Sequence, residues 1–169
     1  MKFSEKIITL TAIFISCLAL TVSIVQTRIL QKQSMAAVWP RIDVLNSFGD
    51  EYYVLEVVNQ GVGPAIIENI EFSFKDTVFY RVVDLVKYVA NEDKVKRNLE
   101  KQSFDIGYSE ILEGRVVKAS ETIEIFMSKD SIGTRLAFDY FEDLDIKINY
   151  CSIYNNCWSF QNENNTQTK

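Results

Sequence analysis

Cys151 and Cys157 stand six residues apart near the C-terminus, a pair whose type and spacing point to a definite covalent chemistry. Whether they can join depends on the turn between them. If Asn155 and Asn156 form a two-residue turn, Tyr154 faces Cys157 and Cys151 faces Phe160, which leaves the sulfurs too far apart for a bridge. A five-residue loop over 152–156 would instead set the two cysteines directly opposite. Both asparagines tolerate the left-handed conformation, so the tight turn and two free thiols are the expectation, with the disulfide as the alternative. A bridge would persist only outside a reducing compartment. The third cysteine, Cys17, lies in an uncharged apolar run.

Other chemistry finds little support. The chain contains no histidine, which removes the commonest general base, the commonest zinc ligand and every Ser-His or Cys-His nucleophile. No C-x-x-C, phosphate-binding glycine loop or H-E-x-x-H motif occurs, so no cofactor is expected and no catalytic residue is named. Asp139, Glu142, Asp143 and Asp145 could offer oxygens to Ca²⁺. They lack the glycine and the alternating spacing of a dedicated loop, and read as solvated surface. Gly61, Gly63 and Pro64 read as turn geometry, with glycine accepting positive φ and proline directing the exit into the next strand. From residue 31 onward, 15 Lys and Arg stand against 22 Asp and Glu. A net charge near −7, with basic residues interleaved among acids, argues against nucleic-acid binding.

Residues 7–25 are nineteen in a row without a charge, about the length needed to cross a bilayer core as a helix. The only polar atoms there are one thiol and Thr and Ser hydroxyls, which can bond back to carbonyls of their own helix. Thr9, Thr11, Ser16, Thr21 and Ser23 are not spaced as a clean small-xxx-small dimerisation face. A cleaved signal peptide is the competing reading, disfavoured by the length of the apolar run. Residues 26–35 contain no helix breaker and should continue the helix as a stalk. Pro40 then drives Trp39 out of helical geometry, so residues 1–36 are read as anchor and stalk. Three positive groups flank each side of the span (Lys2, Lys6 and the α-amino group against Arg28, Lys32 and Arg41), so charge does not orient it.

Residues 37–161 should form one β domain. Strands are expected at 41–45, 51–59 and 65–74, the last two joined as a hairpin through Gly61-Val62-Gly63-Pro64. On 51–59, Tyr53, Leu55 and Val57 share a face; on 65–74, Ile66, Ile70, Phe72 and Phe74 do. An amphipathic helix follows over about 78–91, then a charged loop at 91–102. Further strands are expected near 108–112, 115–118 and 122–127, with Ile123, Ile125 and Met127 on one side. A short helix at 134–141 precedes a C-terminal hairpin burying Ile146, Ile148, Tyr150, Trp158 and Phe160. Residues 162–169 read as a disordered tail. The fold class is mainly β: a transmembrane helix followed by an antiparallel immunoglobulin-like β-sandwich with one helical insertion, a small barrel being the alternative.

The residues Gln26-Thr27-Arg28, Ala37-Val38-Trp39-Pro40, Asn59-Gln60-Gly61-Val62-Gly63-Pro64-Ala65 and the closing stretch 150–158 carry a resemblance. In that order they resemble a broad set of uncharacterised bacterial single-pass membrane proteins with an N-x-G-x-G-P-A turn and an immunoglobulin-like β domain. The likeness covers the first 75 residues and, more loosely, the last 20; the cysteine pair is not part of it. It implies the bacterial cytoplasmic membrane as location, with the side of the β domain open, and brings no catalytic residues. Three functions are weighed. The favoured one is a membrane-tethered, non-catalytic interaction module that binds another protein. The second is a membrane-perturbing effector of phage-defence type acting through an oligomerising anchor. The third, a histidine-free hydrolase, has no motif behind it. The bilayer is an expected partner, and self-association is compatible with the anchor.

Overall fold

The computed structural model describes residues 2–91 and 105–168. It divides into two units, residues 1–37 and 38–169.

The first unit is helix α1, Lys2–Ala36. Its 35 residues extend about 52 Å at 1.5 Å per residue, long and apolar enough to cross a membrane, and none of the apolar window is buried against protein. Thr11, Ser16, Thr21, Ser23 and Thr27 each donate their hydroxyl to the carbonyl four residues earlier, at 2.8–2.9 Å. Hydroxyls satisfied within their own helix leave no donor seeking water, which is what a hydrocarbon environment requires. The helix runs past the apolar stretch as one piece, and after a turn at 37–38 the chain at 39–41 is non-helical, as Pro40 demands of the residue before it.

The second unit contains two antiparallel sheets. One has the order β1-β2-β7-β5, built from β1 (Ile42–Phe48), β2 (Tyr53–Asn59), β5 (Ile106–Tyr108) and β7 (Thr122–Ser128). The other runs β10-β9-β8-β3-β4, from β3 (Ala65–Phe74), β4 (Thr77–Phe79), β8 (Asp145–Cys151), β9 (Cys157–Gln161) and β10 (Asn164–Gln167). The short β6, Val116–Val117, pairs with the start of β3. Among the described residues two helices complete the unit: α2, Val82–Ala90, and α3, Ser131–Phe141. Both sheets and both helices contribute to one core, with Val57, Phe72, Val117 and Ile148 fully buried.

Several expectations are corrected. The glycine turn does not close a hairpin: β2 pairs with β1 and β7 while β3 pairs with β8, so 60–64 carries the chain from one sheet to the other. Alternation fails at two bulges. Glu68 is the extra residue of β3, between Ile67 opposite Tyr150 and Asn69 opposite Asn149. Ile67 is therefore buried, where unbroken alternation from Ile70 assigned Ile66. In β7 Ile125 is extra, so Phe126 turns inward in place of Met127. The helix expected from 78 begins at Val82, because Thr77–Phe79 doubles back as β4. Residues 164–167, expected in a disordered tail, form a strand. Asn162 and Glu163 both adopt positive φ (49° and 62°) and turn the chain back as β10 on β9. The charged loop expected at 91–102 lies outside the described residues except for Asn91.

Candidate functional site

Asn59 is fully buried at the end of β2. Its Oδ1 accepts from the backbone N–H of Arg41 (3.1 Å) and Gly61 (3.0 Å). Its Nδ2 donates to the carbonyls of Gly63 (2.8 Å) and Val117 (3.0 Å). Two acceptor and two donor positions are all a side-chain amide has, so this one is saturated. The lead-in 38–41 is laid against the same turn: Gln60 N–H donates to Arg41 O at 2.7 Å, and Val62 N–H to Trp39 O at 3.0 Å. A Cβ on Gly61 would meet Trp39 O at 2.5 Å, and one on Gly63 would press on the Val38 backbone. Neither glycine has positive φ. Glycine is needed here for close backbone approach, not for left-handed geometry, and the segments 38–41 and 59–63 are in contact. Asn59, Gly61 and Gly63 thus form a clasp where the chain enters the β unit, a structural role.

The five-residue loop is the one adopted. Cys151 pairs with Cys157, and Ser152 N–H donates to Asn156 O at 2.8 Å, so Phe160 faces Ile148, not Cys151. The expected tight register is thereby corrected. Only Asn155 of the two asparagines takes positive φ, 59°. The cysteines, their Cα atoms 4.0 Å apart, are joined in a disulfide. The carboxylate of Glu68 lies within 4.8 Å of both sulfurs, but sulfurs bonded to each other supply no thiolate to a metal.

The acidic stretch is split by the fold. Asp139 and Asp143 are exposed on α3 and the turn after it, whereas Glu142 and Asp145 reach a cavity of about 320 Å³. Among the described residues the four carboxylates do not converge closely enough to share one ion. The cavity opens between the two sheets at the end of β1 remote from the clasp. Val44, Leu55, Phe138, Phe141, Ile146 and Phe160 form its apolar walls, and Glu163 of the β9–β10 turn joins Glu142 and Asp145 around it. Among the described residues no Lys or Arg lines it. Tyr53, 2% exposed, lines it together with Asn46. Burial raises the Tyr53 pKa above the ordinary phenol value, the neighbouring Asn46 side chain opposing.

Two asparagines do work that sequence reasoning missed. Asn59 was visible in the motif but without a role. Asn165, which sequence placed in a tail, accepts from the Tyr150 hydroxyl at 2.6 Å and donates to Ile42 O at 2.9 Å, tying one sheet to the other. Burial holds Tyr150 in its neutral form, pushing its pKa up to about 12. Asp130, one residue before α3, is a readable cap signal: its Oδ1 accepts from Ile132 N–H and Gly133 N–H at 3.0 and 2.8 Å.

Comparison with protein families, with curated proteins and with solved structures finds no match to this chain. Architecture and local geometry therefore carry the functional argument: one membrane-length helix joined to a β-rich unit of two antiparallel sheets.

Proposed function

We propose that this chain is a membrane-tethered, non-catalytic interaction module. In this reading α1 is a single-pass anchor in the bacterial cytoplasmic membrane, and the β unit binds another protein. The observation that carries it is the division into two units of opposite solvent preference. The apolar window of α1 has no residue buried against protein, whereas the β unit keeps its own core. Strand order supports an immunoglobulin-type domain. The order β1-β2-β7-β5 follows A-B-E-D, and β9-β8-β3-β4 follows G-F-C-C′. The disulfide departs from that type, joining adjacent strands of one sheet, and supports a position outside the reducing cytoplasm. The apolar surface beside the cavity supplies a contact region: Phe48 is 55% and Phe138 43% exposed, their rings 5.3 Å apart.

The test uses the full chain in membranes. Alkaline carbonate should leave it in the membrane pellet, and a photoreactive residue at Phe48 should give a discrete protein adduct that the same residue at Val78 on β4 does not. Release by carbonate, or the same pattern from both positions, would remove this reading. Growth arrest on overexpression that depends on residues 1–27 would replace it with the membrane-perturbing effector.

A further inference from the structure

The cavity at the far end of β1 has a composition that its place in the fold does not require. Four aromatic residues border it: Tyr53, Phe138, Phe141 and Phe160. Tyr53 and Phe141 lie 6.0 Å apart at 49°, so the rings present faces and edges in different directions. Glu142 and Glu163 are exposed at the mouth, Asp145 is half-buried, and among the described residues no Lys or Arg stands in the lining. Ion pairs elsewhere on the unit have local partners, as in Arg41–Asp43 at 3.3 Å and Arg115–Glu121 at 2.9 Å. Among the described residues the partner of the Asp145 carboxylate is neutral: it accepts from the Gln161 amide at 2.8 Å.

Aromatic faces attract cations through their quadrupole, and carboxylates do so through charge. A compact, strongly hydrated metal ion gains little from phenyl walls. A planar, weakly hydrated cation on an apolar stem gains from both. At about 320 Å³ the cavity is at the lower end of the size of ordinary ligand pockets. We propose that it is the recognition pocket of the interaction module and receives an arginine side chain of the partner protein. The stem lies along Val44 and Leu55, the guanidinium stacks against Phe138 or Phe141, and the carboxylates of Glu142, Asp145 and Glu163 surround the charge. This rests on the interaction-module reading and gives it a chemistry.

The full chain, isotope-labelled in lipid nanodiscs, is titrated with N-acetyl-arginine amide and with N-acetyl-citrulline amide, its uncharged isostere. Amide shifts should cluster at 44–46, 138–146 and 160–163, and the arginine probe should bind at least tenfold more tightly. Glu142→Gln with Glu163→Gln should weaken it at least fivefold. These side chains are exposed, so a folding defect does not obscure the result, and Phe138→Leu should weaken it separately. Equal affinity for both probes, shifts elsewhere, no binding, or indifference to the glutamate variants would overturn the pocket. Failure of the probe with the Phe48 adduct intact discards the arginine pocket alone. Loss of the adduct discards the module itself.

Discussion

The two ends of β1 are packed by opposite rules. At Ile42 the strand leaves the clasp, where Asn59 spends every hydrogen-bonding position on backbone and two glycines let chain segments touch. Further on, Val44 and Asn46 line a cavity walled by rings and rimmed by acids, and at the far end the Phe48 ring lies 5.3 Å from Phe138 of its wall. One end has no room for a single added carbon; the other has room for a side chain from elsewhere. Dense interiors resist any change of volume, so the first end should govern stability. Exposed polar groups contribute little to folding, so the second is free to be shaped for binding.

The sharpest way to break this contrast is Gly63→Val. The new side chain meets backbone that cannot swing aside, and a loss of about 3 kcal/mol or more is expected. Chemical denaturation would measure it, and an unchanged midpoint would remove the clasp. Asn59→Asp keeps the shape but turns a carboxylate oxygen toward the carbonyls of Gly63 and Val117. The expected cost is roughly 2–4 kcal/mol. Replacing Cys151 and Cys157 together by serine should cost about 2 kcal/mol, as expected for opening a short loop. Thiol labelling before and after reductant shows whether the bond is present in the membrane-bound protein.

A smaller effect is a dependence on pH. The folded-state pKa of Tyr150 is raised to about 12 by burial, so the fold favours its neutral form. That contribution is fully present below about pH 10 and is lost as pH rises toward 12. Tyr150→Phe should remain folded and lose less stability between pH 10 and 12, as read by thermal melts; an identical alkaline decline would contradict the assignment. Smallest of all, Glu142→Gln with Glu163→Gln should alter stability by no more than about 0.5 kcal/mol. A larger loss would mean that the open end is structural after all.

Much is legible in the sequence alone, and what is not has a common cause. The uncharged run at 7–25 specifies a membrane-length helix by itself, since helix bonds and hydroxyl back-bonds are all local. The limits of Ala65–Phe74 are visible in its own composition; the helix expected at 134–141 starts earlier, at Ser131, because Asp130 caps it. The cap of α2 comes instead from Glu110, which accepts from the Val83 N–H at 2.9 Å across 27 residues. Such a partner leaves no periodic trace.

Local pattern marked where strands begin and end, but pairing is a contest among distant segments, decided by which faces can share a core. Only the tertiary structure could therefore send β3 to the opposite sheet from β2 and turn Ile67 inward at a bulge. It also drew the polar stretch 164–167 into a strand, because Asn165 finds partners at Tyr150 and Ile42 that composition cannot reveal. The same holds for the disulfide and the cavity. Six residues of spacing allowed either register, and the pairing of β8 with β9 chose the one that sets the sulfurs together. The acids Glu142 and Glu163 are twenty-one residues apart in the chain. They share one rim because two sheets and a helix end meet there, a coincidence of surfaces that no stretch of sequence contains.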